Sequence, residues 1–288
     1  MHGSDHKAGG KGLVLSGPLM KGRRGLVMGV ANDHSIAWGI SQALSLHGAE
    51  MAFTYQGDAF GRRVKPLAES VGSKILLPCD VTDSQSLDTV FRTLKEEWGT
   101  LDFVVHAIAY SDKSELKGRY ADTSRENFLR SMDISCFSFV DVARRAAEMM
   151  PDGGSMVTLT YEGAQRVMPN YNVMGVAKAA LEASVRYLAA DFGRDGIRVN
   201  AISAGPMRTL AGSAIGDARF VHKWNKTHSA LKETIELEHV GGAGLYLLSD
   251  LSARVTGEIH YVDSGYNIIG LPRAEEMKTS DLENGNGG

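Results

Sequence analysis

The sequence predicts an α/β fold, a single doubly wound parallel sheet of about seven strands with helices on both faces. Three observations predict it. From Arg24 onward, short apolar runs rich in β-formers alternate with longer helical patterns, the rhythm of repeated βαβ units. The apolar runs are continuous instead of alternating with polar residues, as strands covered on both faces are. The first run ends at Gly29 and passes through a turn of small residues into a helical pattern, a strand–turn–helix start.

The elements follow in order. Residues 25–30 form a buried first strand, 36–47 a helix, 51–55 a second strand and 59–71 a second helix. Residues 74–77 are a third strand, and 84–98 a helix with Asp83 or Ser84 as its N-cap. Residues 103–106 make the fourth strand. A long helix is expected over 125–150, stopped by Pro151-Asp152-Gly153-Gly154. Residues 155–160 are a fifth strand, 171–192 a helix, 198–202 a sixth strand and 258–262 a seventh. The stretch from Gly205 to Lys232 breaks the rhythm. A long irregular segment after a strand is where a substrate-covering loop, expected over 207–232, belongs. Residues 1–20 are expected to be a flexible extension, 21–271 one dinucleotide-binding domain and 272–288 a disordered tail.

Composition narrows the function. The 288 residues carry 43% hydrophobic and 23% charged side chains, the proportions of a soluble globular protein. A net charge of −3 argues against nucleic acid or an anionic membrane surface as partner. No apolar run is long enough for a membrane span, and the N-terminus lacks the apolar core of a secretory signal; the cytoplasm is the expected location. Cys79 and Cys136 lie far apart in apolar contexts and are expected to be reduced and buried. The nine histidines form no HExxH, HxH or Cys/His cluster, so no metal site is expected.

The turn after the first strand runs from Gly29 to Gly39 with Ser35 and Ile36 between them. It lacks the GxGxxG spacing, yet a small-residue turn opening a helix lets backbone amides face a pyrophosphate, as in Rossmann-like cofactor sites. Plain turn chemistry explains it equally well. The second strand ends at Thr54-Tyr55-Gln56, where a ribose contact falls. Gln56 is neutral and offers no positive charge to a 2′-phosphate, so NADH is expected in preference to NADPH. Arg62 and Arg63 lie further on, on a helix, where solvated charge explains them. Asp80, in Cys79-Asp80-Val81, is placed to accept from an adenine amino group with Val81 beside the ring, or to cap the approach to the next helix.

Tyr171 and Lys178 are seven positions apart at the head of an apolar, Ala-rich helical stretch. Seven residues are close to two helical turns, so both side chains fall on one face. A phenol beside an ammonium group has its anion favoured and is suited to donate a proton or stabilise an oxyanion. Taken alone, a solvated Lys and a half-buried Tyr at this spacing explain the pair as well.

With its surroundings, the pattern resembles the enoyl-acyl-carrier-protein reductases, a divergent branch of the short-chain dehydrogenase/reductase family. The resemblance runs from Met20 to about Gly270. It is carried by Gly29 with Ser35-Ile36-Ala37-Trp38-Gly39, Phe53-Thr54-Tyr55-Gln56, Cys79-Asp80-Val81 and Val105-His106-Ala107-Ile108-Ala109. Pro169-Asn170-Tyr171-Asn172-Val173-Met174-Gly175, Lys178, the run from Arg198 to Pro206, and Val262-Asp263-Ser264-Gly265-Tyr266 complete it. Ordinary members of the wider family place Tyr and Lys four apart; the seven-residue gap marks the enoyl reductases.

The resemblance implies reduction of the trans-2 double bond of an enoyl thioester on acyl carrier protein with NADH, the last step of the fatty acid elongation cycle, by a homotetramer. It implies that Tyr171 hydrogen-bonds the thioester carbonyl, that Lys178 binds the nicotinamide ribose, and that Tyr161 is a second active-site tyrosine. Ile108 is implied beside the cofactor and Ser111 at the substrate. Met207, Arg208, Thr209, Leu210 and Ala211 are implied over the nicotinamide carboxamide. Several residues depart from the family's pattern, among them Ala107, Ser264 and Glu162, the last expected as a negative charge near the pocket mouth. Basic residues of the covering segment are few, with Arg208, Arg219 and Lys223 remaining. Another nicotinamide oxidoreductase of the same fold, or a non-catalytic dinucleotide-binding relative, stays open at this point.

Overall fold

The computed structural model describes residues 18–207 and 218–271. The expectations for residues 1–17 and 272–288, and for 208–217 of the covering segment, fall outside the described residues. Met20, expected at the end of a flexible extension, is instead buried in the core, and its amide donates to His47 O at 2.9 Å.

Seven parallel strands form one sheet in the order β3-β2-β1-β4-β5-β6-β7. They are β1 (Arg24–Met28), β2 (Glu50–Tyr55), β3 (Ile75–Pro78), β4 (Phe103–His106), β5 (Gly154–Thr160), β6 (Ile197–Ala204) and β7 (Ile259–Val262). The helices are α1 (Ile36–Leu46), α2 (Asp58–Ser70), α3 (Ser84–Trp98), α4 (Arg125–Met132), α5 (Ser138–Ala147), α6 (Asn172–Phe192), α7 (Ala218–His228) and α8 (Leu237–Leu248). The core divides by sheet face. Leu26, Met28, Val104 and Val199 pack with Leu87 and Leu94 of α3, Phe139 and Val142 of α5, and Leu181 and Val185 of α6. Val27, Phe53, Val105, Val157 and Ile202 pack with Ile40 of α1, Val64 of α2 and Leu247 of α8. Alternate residues of each strand thus face opposite helical layers.

Strand order reverses between β1 and β4, with β2 and β3 added on one side and β4 to β7 on the other, which puts the switch point at the C-terminal ends of β1 and β4. Local chemistry sets the helix starts. Asp83 accepts from Gln85 N at 2.9 Å and caps α3, and Ser124 accepts from Asn127 N at 3.1 Å and caps α4, each worth about 1 kcal/mol.

Three expectations are corrected, and one helix was not expected. The helix expected over 125–150 is α4 and α5 joined through a π turn at Asp133–Phe137, and it ends at Ala147. Within that turn Ser135 Oγ accepts from Tyr110 N at 2.9 Å and donates to Tyr110 O at 3.0 Å, so the loop after β4 is tied to it. The segment expected to be irregular holds helix α7. Helix α8 has no counterpart in the sequence reading. Its glycines are the reason: Gly241 lies so close to α1 that a Cβ there would meet Gly39 O at 2.7 Å. Finally, Tyr171 is the N-cap of α6 instead of a residue within the helix.

Candidate active site

The predicted residues gather along the C-terminal edge of the sheet. Gly29 follows β1 with φ +96°, and a Cβ there would fall 2.1 Å from Ala107 O. Only glycine suits both the backbone conformation and that approach. The turn then curls around Ser35, whose Oγ accepts from Ala31 N at 2.9 Å and Asn32 N at 3.1 Å. The Ser35 side chain therefore makes no cap bond to α1, and the first turn of α1 carries no acidic residue. Its amides keep the partial positive charge of a helix start. Ile36 is half-buried beside them and packs on the core.

At the ends of β2 and β3, Gln56 Nε2 donates to Asp80 Oδ2 at 3.1 Å. Asp80 Oδ1 accepts from Thr82 N at 2.9 Å and Thr82 Oγ1 at 2.8 Å. The backbone bond from Thr82 is the largest reason the Asp80 carboxyl lies below its ordinary range. Val81 and, after β4, Ile108 are half-buried against the core. Met207, after β6, packs on the opposite core layer. Arg208, Thr209, Leu210 and Ala211 fall outside the described residues.

The end of β5 carries the tyrosines. Tyr161 and Tyr171 meet edge to face, with ring centroids 5.1 Å apart and planes at 72°. Tyr171 is buried between two residues with positive φ, Asn170 at 58° and Asn172 at 36°. Asn172 Nδ2 donates to Glu115 O and Gly118 O, each at 3.3 Å, which anchors the turn that presents Tyr171. Lys178 is buried, and its Nζ donates to Leu159 O at 2.7 Å. Ser111 is buried too, but its hydroxyl belongs to a polar network of α4, accepting from Ser131 Oγ at 2.9 Å and from Asn127 Nδ2 at 3.2 Å.

The electrostatics correct one expectation. The Tyr171 phenol is pushed well above the ordinary phenol range, by burial first, then by Tyr161 and Glu182. Its anion is disfavoured, so near neutral pH it is an O–H donor. Tyr161 is pushed up as well, by burial first, then by Tyr266 and Glu162. Lys178 moves the other way, down to about 8, because burial disfavours the ammonium. A buried phenol that keeps its proton suits hydrogen-bond donation to a developing oxyanion.

Glu162 is also corrected. It is not a charge at a pocket mouth but a buried side chain, with Oε1 3.1 Å from Arg166 Nε and Oε2 without a partner. Burial is the main cause that raises its carboxyl above the ordinary range.

Sequence reading assigned no role to His106, Thr160, Gln165 or Glu182. His106 is fully buried at the end of β4. Its Nε2 lies 2.9 Å from Ser138 Oγ, and burial, with the Lys178 charge adding, lowers it to about 3. Glu182 is buried and accepts from Thr160 Oγ1 at 2.8 Å and from Gln165 Nε2. The i,i+4 spacing of Lys178 and Glu182 was the available signal. Cys79 and Cys136 are both free and buried, and burial raises both thiols, Cys79 to about 11.

A family profile described as Enoyl-(Acyl carrier protein) reductase matches residues 29–267, from the glycine of the β1 turn to the turn after β7. The chain belongs to the enoyl-(acyl carrier protein) reductase family. Within that family, it is 66% identical over 265 residues to enoyl-[acyl-carrier-protein] reductase [NADH] 2 of Rhizobium meliloti (strain 1021), covering 92% of this chain and 99% of that relative. The enoyl-(acyl-carrier-protein) reductase from Anaplasma phagocytophilum, solved in complex with NAD, superposes with a TM-score of 0.87 at 57% identity, over 90% of this chain and 99% of that one. The Bacillus cereus reductase, solved with NADP+ and indole naphthyridinone, gives a TM-score of 0.86 at 49% identity, over 88% and 99%.

Proposed function

We propose that this chain is an NADH-dependent enoyl-[acyl-carrier-protein] reductase that saturates the trans-2 double bond of enoyl thioesters, the last step of fatty acid elongation. The observation that carries it is that Tyr171 and Lys178 are both buried against the end of β5 and the turn that follows it, in a chain of this family. The residues present fit a dinucleotide. Gly29 leaves no room for a side chain at the switch point, and the uncapped start of α1 suits a pyrophosphate. Gln56 and Asp80, already hydrogen-bonded to each other, suit the adenosine. The bound cofactor supplies the hydride for the β-carbon.

The chain's own residues supply the rest. Tyr171 donates a hydrogen bond from its phenol to the thioester carbonyl oxygen and stabilises the enolate formed when hydride reaches the β-carbon. Its burial keeps that proton in place until charge develops. Lys178 binds the nicotinamide ribose, while its bond to Leu159 O fixes where the ammonium sits. Tyr161 packs on Tyr171 and limits its ring to one orientation. Ser35, Ile36, Val81, Ile108 and Met207 to Ala211 are assigned to the cofactor, and Ser111 to the substrate side.

The acyl carrier protein thioester is the substrate, and a homotetramer in the cytoplasm is the proposed working form. Exposed Leu129, Phe137 and Tyr187, on α4, the π turn and α6, support an assembly face. No helix among the described residues is long and apolar enough to cross a membrane. Loss of NADH absorbance with a 2-enoyl thioester, against a panel of ketones, tests the function. Reduction of ketones without thioester turnover would move the chain to another oxidoreductase activity.

A further inference from the structure

The stretch that starts at Tyr171, the N-cap of α6, and carries Lys178 continues along the helix. Residues 171, 175, 178 and 182 repeat at helical spacing, and each meets the end of β5 or the turn that follows. The Tyr171 ring lies on Gly163, and a Cβ at Gly175 would fall 2.7 Å from Gly163 O. Lys178 donates to Leu159 O. One residue further along β5, Thr160 Oγ1 donates to Glu182 Oε1 at 2.8 Å, and Gln165 Nε2 donates to Glu182 Oε2.

Glu182 is 2% exposed and its two partners are neutral. A buried carboxylate held by neutral donors keeps an unneutralised charge that acts on its surroundings. The titratable groups that act electrostatically on Lys178, or feel its charge, are Cys136 from the π turn, Glu182 one helical turn along, and His106 from β4. Cys136 opposes Lys178 with a charge only as a thiolate, and burial holds it as a thiol. His106 is neutral. Glu182 is the acidic side chain four residues from Lys178 on the same buried stretch of α6. Glu182 also acts electrostatically on Tyr171, Glu162 and Tyr261.

We propose that Glu182 is a positioning residue of this active site, its clamped carboxylate holding Lys178 as the ammonium that binds the cofactor. The proposal rests on the reductase function above. Loss of the carboxylate charge favours discharge of Lys178, so cofactor binding fails at lower pH.

Glu182→Gln is a clean probe. An amide oxygen still accepts from Gln165, and the Thr160 hydroxyl, donor and acceptor alike, turns to accept from the amide. NADH affinity, by fluorescence titration, and turnover of a 2-enoyl thioester are measured from about pH 6 to about pH 10 for wild type, Glu182→Gln and Thr160→Val. In Glu182→Gln the alkaline fall of NADH affinity is expected to start on the order of one pH unit lower, and KM for NADH to rise before kcat falls. Thr160→Val, which breaks one clamp but keeps the charge, is expected to lower Tm and leave the limb in place. A wild-type pH profile in folded Glu182→Gln, or equal loss of affinity at every pH, overturns the proposal. Absence of thioester turnover in the wild type would instead overturn the reductase function, and the NADH affinity curves would still decide the role of Glu182.

Discussion

The ring of Tyr171 lies directly on the backbone of Gly163: a Cβ at Gly163 would sit 2.3 Å from Tyr171 Cδ1 and 3.3 Å from Tyr161 Cδ1. The turn after β5 is therefore the floor beneath both tyrosines. Gly163→Ala forces the rings to shift. Overpacking of this kind costs about 1–3 kcal/mol, and misplacement of a reacting group by about 1 Å costs on the order of 10²-fold in rate. A modest fall in Tm with a large fall in kcat is expected, read by thermal unfolding and steady-state kinetics.

Lys178 gives opposite pH dependences to stability and to binding. Its pKa is lowered from the ordinary 10.5 to about 8 by burial. Between those values the unfolded chain binds more protons than the folded one, so the Lys178 contribution to stability rises with pH across that window. NADH affinity is expected to fall across the same window as the ammonium is lost. Lys178→Ala is expected to weaken NADH binding and to remove both trends. Thermal unfolding and NADH titration at matched pH values check this.

Gln56 Nε2 sits 3.1 Å from Asp80 Oδ2, so the proposed adenosine end of the site would offer a neutral amide and a carboxylate to a 2′-phosphate. Gln56→Arg is expected to raise kcat/KM with NADPH relative to NADH. The gain is held down by pairing of the new guanidinium with Asp80. Kinetics with both cofactors on one enoyl thioester measure it.

Tyr187 is 76% exposed, and Phe137, on the neighbouring π turn, is 56% exposed. The proposed assembly of four chains would give these side chains a partner. Light scattering at micromolar concentration is expected to give a tetramer mass, and Tyr187→Glu together with Phe137→Glu to lower it.

Much of the sheet was legible in the sequence because each strand is a short, continuous apolar run. Strand β4 falls at residues 103–106 as expected, and α3 begins after Asp83, one of the two caps foreseen. What escaped had physical reasons. A π turn leaves no distinct periodicity, so the break between α4 and α5 was invisible. Helix α8 is a poor helix by propensity, with Gly241, Gly242 and Gly244, and is selected by close packing on α1. Glu162 reads as a surface charge, yet Arg166 and the turn bury it. The Tyr171–Lys178 spacing pointed to the site, but the clamps on Glu182 join residues 17 and 22 positions away and emerge only once β5 and α6 are packed.

The central claim is that the Tyr171 phenol donates to the thioester oxygen in the transition state. Tyr171→Phe tests it most directly, by single-turnover reduction of a 2-enoyl thioester at saturating NADH. The expected result is a rate lower by about 10²-fold or more, with NADH affinity and Tm near wild type. A rate within a few-fold of wild type would contradict the claim and pass the role to Tyr161.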